Sequence, residues 1–104
     1  MSGEAALGAD PQRIADQLVA EEKVRHVAVL IFMLYKDPAL ENDLRKAMAG
    51  GRYAVNSQLA RIVLSELQEM KLVELIRFGR YKVYRLTPLG REVAEELARR
   101  AGFI

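Results

Sequence analysis

The side chains that could do chemistry in this chain are hydrogen-bond donors and cations rather than nucleophiles or metal ligands. The 104 residues include no cysteine and one histidine, His26. Disulfides and thiolate metal sites are therefore excluded, and a transition-metal site would need carboxylates almost alone. We find no glycine-rich phosphate loop and no nucleophile motif. Asp37, Glu41 and Asp43 are close in sequence, but we interpret them as acids at a helix N-terminus, where they complement the helix dipole. The sequence predicts no enzyme, no cofactor and no metal.

The clearest pattern is a row of donors on a helix predicted over 56–71. Spacings of three and four residues put five of them on one side: Ser57, Gln58, Arg61, Ser65 and Gln68. The opposite, apolar side carries Leu59, Ile62, Val63, Leu67 and Met70. Arginine can donate two hydrogen bonds to guanine and glutamine can pair with adenine. Asn56 or Ser57 caps the helix, whose free N–H groups can hold a phosphate.

None of these five side chains is a carboxylate, and the acids of this helix, Glu66 and Glu69, come late, toward the end that would tilt away from a duplex. The alternative is a face that only keeps the helix soluble. Solvated faces more often mix Glu with Lys, so we favour recognition.

Charge is segregated along the chain. Residues 1–43 carry four basic and eight acidic groups, a balance of −4, whereas residues 44–104 carry twelve and six, a balance of +6. Two windows have no acid. The first contains Arg45, Lys46, Arg52 and Arg61, and the second contains Arg77, Arg80, Lys82, Arg85 and Arg91. Such segregation is what a polyanion-binding face needs. The alternative is a chance distribution of solvated cations, and charge alone favours neither interpretation.

The elements that must position these residues are mostly helices. Asp10-Pro11 predicts the start of a helix over 11–22, and an apolar run predicts another over 22–35. Asp37-Pro38 predicts the start of a third helix, with Leu40, Leu44 and Met48 inward, which Gly50 and Gly51 end. The helix over 56–71 follows.

The apolar period then changes from that of a helix to that of strands. The runs 72–78 and 81–86 flank Gly79-Arg80 and predict a β-hairpin. Arg80 at its tip and Arg77, Lys82 and Arg85 along its arms would form a basic wing. Tyr84 is expected in the core, and the role of Tyr81 is left open. A third short strand could lie near 53–55, and Thr87-Pro88 predicts the start of the last helix.

Two short helices followed by a hairpin predict a mainly α fold of the winged helix-turn-helix type. Residues 1–10 are expected to be disordered and 11–104 to form one domain. The second helix is apolar on nearly all sides, from Val24 to Leu34, and so small a domain can hardly cover it. We therefore favour a homodimer, with residues 10–35 and the C-terminal helix, Phe103 and Ile104 in the interface, over a core helix wrapped by its own termini.

Residues 64–74 and 84–92 resemble the recognition helix, wing and last helix of MarR- and PadR-type winged-helix regulators. The resemblance rests on a Tyr-x-Leu-Thr-x-x-Gly pattern that begins at Tyr84. It implies that Thr87 caps the following helix and that Gly90 lets it pack closely. Two departures are a longer, glycine-rich turn over 49–55 and a very short wing tip.

Two functions remain open. The favoured one is sequence-specific binding of double-stranded DNA by a homodimeric transcriptional regulator, and the alternative is a winged-helix protein-interaction module. The candidate DNA-binding residues are Arg45, Lys46, Arg52, Asn56, Ser57, Gln58, Arg61, Ser65, Arg77, Arg80 and Lys82.

Other features are less informative. The start of the chain does not resemble a signal peptide, and the longest apolar run, Val27–Tyr35, is about half of the roughly 20 residues that span a bilayer, so we expect a cytoplasmic protein without membrane contact. Two asparagines and an excess of Arg over Lys hint at a thermophilic source. His26 is expected to be structural.

Overall fold

Five helices and one small antiparallel sheet make up residues 10–104, the part of the chain that the computed structural model describes. The order is α1 (Pro11–Ala20), α2 (Val24–Met33), β1 (Ala39–Leu40), α3 (Glu41–Met48), α4 (Ser57–Glu69), β2 (Val73–Phe78), β3 (Tyr81–Leu86) and α5 (Pro88–Arg100). The sheet order is β1-β3-β2. The mainly α fold with a winged helix-turn-helix is confirmed, whereas the disorder predicted for 1–10 falls almost wholly outside the described residues.

Three helices begin where side-chain caps predict. The carboxylate of Asp10 accepts from the Gln12 N–H at 3.0 Å, and Oδ1 of Asn56 accepts from the Leu59 N–H at 2.8 Å. Thr87 caps α5, since its Oγ1 accepts from the Gly90 N–H at 2.9 Å. Each bond satisfies a backbone donor that the first turn of a helix leaves free.

The prediction for Asp37-Pro38 was wrong. No helix begins there; Ala39 and Leu40 instead pair with Tyr84 and Val83 as the third strand of the sheet, and α3 starts at Glu41. Pairing with β3 gives this segment the backbone partners that a helical turn would have supplied. Leu40, expected inward, is therefore exposed, and the strand expected near 53–55 is irregular backbone.

Asp37 does not lie at a helix N-terminus, as its position in the sequence suggested, but bonds to β3 and α5. Its Oδ1 accepts from the Leu86 N–H at 3.2 Å and its Oδ2 lies 2.7 Å from an Nη of Arg91. The carboxylate therefore joins the end of β3 to α5 rather than complementing a helix dipole. Glu41 and Asp43 do lie in the first turn of α3, as expected.

The core lies between the helices and the inner face of the sheet. Its largest fully buried side chains are Leu18, Leu30, Met33, Leu44, Leu64, Leu67 and Leu72. Tyr84 is also buried, as predicted. Gly90 lies where α5 crosses Leu72, and a Cβ on this glycine would be 1.8 Å from the Leu72 carbonyl oxygen. The close packing that the resemblance implied for Gly90 is confirmed.

The face of α4 that meets the core is rotated from the predicted one. Ala60, Val63, Leu64 and Leu67 are buried, whereas Ile62, expected in the core, is 52% exposed. Both sets of residues recur at helical spacing, so periodicity within α4 could not choose between them.

The second helix is only partly covered by its own chain. His26, Val29, Leu30 and Met33 are buried, but Val24 is 71% exposed and Val27, Ile31 and Phe32 are half-buried. Among residues 10–104, no helix is both long and apolar enough to cross a bilayer.

Candidate nucleic-acid interface

The outer face of α4 carries most of the predicted donors. Ser57, Gln58, Arg61 and Ser65 are exposed, and Gln68 is half-buried. The helix has 13 residues, so it is about 20 Å long and can lie across a groove about 12 Å wide. Asn56 uses its side chain as the N-cap, which leaves its hydroxyl-bearing neighbour Ser57 and the first N–H groups free to meet a ligand.

A shallow depression runs along this face, lined by Gln58, Arg61, Ile62, Ser65, Glu66 and Glu69. Its two acids lie at the C-terminal end of α4. Glu69 is eight residues beyond Arg61, about 12 Å along the helix axis. The acid-free part of α4 is therefore its first two turns.

The hairpin of β2 and β3 forms the second part of the surface. Gly79 and Arg80 make its tip, with Gly79 at a positive φ of 57° that glycine accepts readily. Arg77 pairs directly across from Lys82, so these two cations share one face of the hairpin. Like charges directly opposite each other destabilise a sheet. Within residues 10–104, no carboxylate lies within ion-pair distance of either, so an external anion would relieve the repulsion.

The helix and the hairpin adjoin, because α4 packs against β2, the first strand of the wing. On β3, Tyr84 is buried in the core. Burial raises the pKa of its hydroxyl above the ordinary value and Glu41 adds to this, while Arg77 and Arg61 act in the opposite direction.

Other predicted residues have different positions. Nε of Arg45 donates to the Val55 carbonyl at 2.8 Å, and the Val55 N–H donates to the Arg45 carbonyl at 3.1 Å. These two bonds hold the end of the loop that leads into α4, so Arg45 positions the helix. Arg52 is exposed in that loop. Lys46 lines an apolar groove beside α2 rather than the face of α4.

Two cations of the second acid-free window are neutralised by acids from elsewhere in the chain. An Nη of Arg85 lies 2.9 Å from Glu74, across the β2–β3 ladder, and Arg91 pairs with Asp37. The free cations of the surface are therefore fewer than the sequence window suggests, and Arg61, Arg77, Arg80 and Lys82 remain without an ion-pair partner within residues 10–104.

A contact that sequence reasoning missed joins α4 to α2. Nε2 of the buried His26 lies 2.6 Å from Oε1 of Glu66, and Lys23 is 3.7 Å from the same oxygen. The hydrogen bond with His26 lowers the pKa of Glu66, with burial opposing and Lys23 assisting. The structural role expected for His26 is confirmed, but no local signal could pair residues 40 positions apart.

An apolar groove lies on another part of the surface, between α2, the end of α3 and the C-terminal tail. Its volume is about 760 Å³, and Val24, Ile31, Phe32, Tyr35 and Phe103 are among its lining residues. Among the described residues, no group of three His, Asp or Glu side chains could hold a metal ion.

No protein-family model and no curated protein matches the chain. Several solved structures do. A MarR family transcriptional regulator from Silicibacter pomeroyi DSS-3 superposes with a TM-score of 0.67 at 21% identity, over 96% of this chain and 68% of that one. MepR, a transcription regulator of the Staphylococcus aureus multidrug efflux pump MepA, gives 0.65 at 20% identity, over 86% and 66%.

Bordetella bronchiseptica BpsR, whose DNA binding is regulated by 6-hydroxynicotinic acid, gives a TM-score of 0.66 at 25% identity, over 97% of this chain and 74% of its own. All three superpose on most of the chain. The chain therefore has the winged-helix fold of MarR-type transcriptional regulators.

Proposed function

We propose that this protein is a transcriptional regulator that binds double-stranded DNA sequence-specifically, with α4 in the major groove and the β2–β3 hairpin on the backbone or minor groove. The observation that carries the proposal is the surface made by the exposed donors of α4 and the cations of the adjoining hairpin, whose strand β2 packs against α4. It combines hydrogen-bond donors suited to base edges with unpaired cations suited to phosphates. The regulators with the same fold support it, including one whose DNA binding is regulated.

We further propose that the protein acts as a homodimer. The apolar face of α2 and the tail residues Phe103 and Ile104 are exposed on one chain, and a second copy would cover them. This arrangement leaves both recognition helices free. Two-fold symmetry then implies a pseudo-palindromic site with half-sites about 34 Å apart, one turn of the duplex, where adjacent grooves face the protein.

Arg61 is the residue with which to test base recognition. A binding site is first selected from a pool of random duplexes, and the dissociation constant is then measured for the selected site and for random DNA. We expect Arg61→Ala to weaken binding to the selected site by about 1–3 kcal/mol, roughly 5- to 150-fold, and to affect random DNA less.

Arg85→Ala is the matched control, because Arg85 is exposed but already paired with Glu74. We expect it to change binding little. An equal loss on both DNAs for Arg61→Ala would mean that Arg61 contacts phosphate and does not read a base.

The second candidate is a protein-interaction module, which the apolar groove beside α2 favours. In that case the cationic surface would be idle and the groove would hold another protein. A gel shift with mixed duplex DNA at low salt separates the two functions. A retarded probe supports DNA binding, and an unretarded probe over the micromolar range would overturn it.

A further inference from the structure

Ile62 is a large apolar side chain that the packing of α4 leaves exposed. Within α4, which the structure describes throughout, it is the one large apolar side chain that is exposed. The four core positions of this helix are occupied by Ala60, Val63, Leu64 and Leu67, so packing does not require an isoleucine at position 62.

The neighbours of Ile62 place it on the donor-bearing face of α4, at the border with a second depression beside α2 that Leu59 and Glu66 also line. Gln58 lies one turn earlier, Arg61 immediately before it and Ser65 one turn later, and all of them line the same depression. Ile62 is about 6 Å along the axis from Gln58, within the first two turns, which are free of acids. A base edge that meets Gln58 and Arg61 therefore lies within about one helical turn of this side chain.

We propose that Ile62 selects thymine in the half-site by contacting its C5-methyl group, an inference that rests on the proposed function. Thymine is the base that presents a methyl group in the major groove, and apolar side chains recognise it by contact. An isoleucine has no donor or acceptor, so a cytosine or adenine at this place would lose water from its amino group without gaining a partner. Ile62 thus favours thymine and disfavours cytosine and adenine.

The test removes a single methyl group from the DNA. In the site selected from random duplexes, each thymine is replaced in turn by deoxyuridine, which keeps the Watson–Crick pair and every hydrogen-bonding group. We expect one thymine in each half-site at which the replacement weakens binding of the unaltered protein about fourfold, as the burial of one methyl group predicts. Ile62→Ala should bind the thymine and deoxyuridine duplexes at that position equally well.

Gln58→Ala is the matched control, since it changes the same face one turn earlier. It should weaken binding overall yet keep the preference for thymine at the position assigned to Ile62. Thermal unfolding of each variant checks that the exposed substitutions leave the fold intact. The Ile62 proposal is wrong, with DNA binding retained, if no thymine responds to deoxyuridine or if Ile62→Ala keeps the discrimination. A protein that selects no DNA overturns the proposed function itself.

Discussion

At the scale of single residues, Gly90 determines how closely α5 approaches the chain that enters the wing. Thr87 holds the same crossing, because its Oγ1 donates to the Lys71 carbonyl at 2.6 Å while accepting from Gly90. A Cβ at position 90 would lie 1.8 Å from the Leu72 carbonyl oxygen, which is main chain and cannot rotate away. The absence of a side chain here is therefore a condition of the fold.

Gly90→Ala should destabilise the protein by about 1–3 kcal/mol, since relieving the overlap requires α5 to move away from Leu72. Urea unfolding followed by circular dichroism measures the change. The control is Glu92→Ala in the same helix, where the side chain is exposed and the expected change is within about 0.5 kcal/mol. Equal stabilities for the two variants would mean that α5 yields freely at this crossing.

At the scale of elements, the β2–β3 hairpin should add affinity without adding sequence information. Arg80 at its tip and Lys82 on its arm are cations that can neutralise phosphates. We expect Arg80→Ala or Lys82→Ala to weaken binding to selected and random DNA alike. Each should reduce the slope of log K against log salt by about one unit.

Arg13→Ala is the control for the wing, because Arg13 is exposed on α1, and it should leave the salt slope unchanged. Fluorescence anisotropy between low and moderate salt gives both slopes. If the slope of the Arg80 or Lys82 variant equals that of the unaltered protein, that wing residue makes no phosphate contact.

The contact between α2 and α4 makes stability depend on pH through Glu66. Its pKa is lower in the folded protein than its ordinary value, because it accepts a hydrogen bond from His26. The unfolded chain therefore takes up this proton first as the pH falls. The stabilisation is fully present above the ordinary glutamate pKa and is lost as the pH falls through the lowered one.

Glu66→Gln should accordingly be less stable than the unaltered protein at neutral pH, and the difference should shrink in acid. Urea midpoints measured between pH 7 and about pH 3 would show this. Glu69→Gln, three residues later on the same helix, is the control, because Glu69 has no ion-pair partner within residues 10–104. A pH-independent difference for Glu66→Gln would contradict the linkage.

At the scale of the whole molecule, the proposed function assigns the exposed apolar surface to assembly and the cationic surface to DNA. Val24, Tyr35, Phe103 and Ile104 are all exposed in the single chain. The basic residues concentrate in the second part of the sequence, which forms α4 and the wing. A dimer through the apolar surface would bring two cationic surfaces to one duplex and so raise affinity by linking two half-sites.

Val24→Glu should shift the protein from dimer to monomer, since it places a charge at a position that is 71% exposed in one chain and buried in the proposed interface. Light scattering coupled to size exclusion gives the mass. Tyr53→Glu, an exposed aromatic in the loop before α4, is the control and should remain dimeric. The dimer proposal fails if the unaltered protein already has the mass of one chain at micromolar concentration.

Local sequence was sufficient for much of this architecture. Two kinds of local signal act over two to four residues. The caps at Asp10, Asn56 and Thr87 have side chains that can be matched to their backbone partners directly from the sequence. The turn at Gly79 can be located in the same way. The donor face of α4 was also predictable, because helical spacing alone places Gln58, Arg61 and Ser65 together. These parts of the fold and site follow from short-range geometry.

Tertiary structure decided the features whose partners lie far along the chain. From its neighbours in the sequence, Asp37 is predicted to be a helix cap. In the fold its carboxylate instead accepts hydrogen bonds from β3 and Arg91, which are about 50 residues away. Glu66 meets His26 only because α2 packs against α4, and the outward rotation of Ile62 depends on the same packing. Local periodicity specifies which residues share a face, but which face is buried depends on the elements that pack against it.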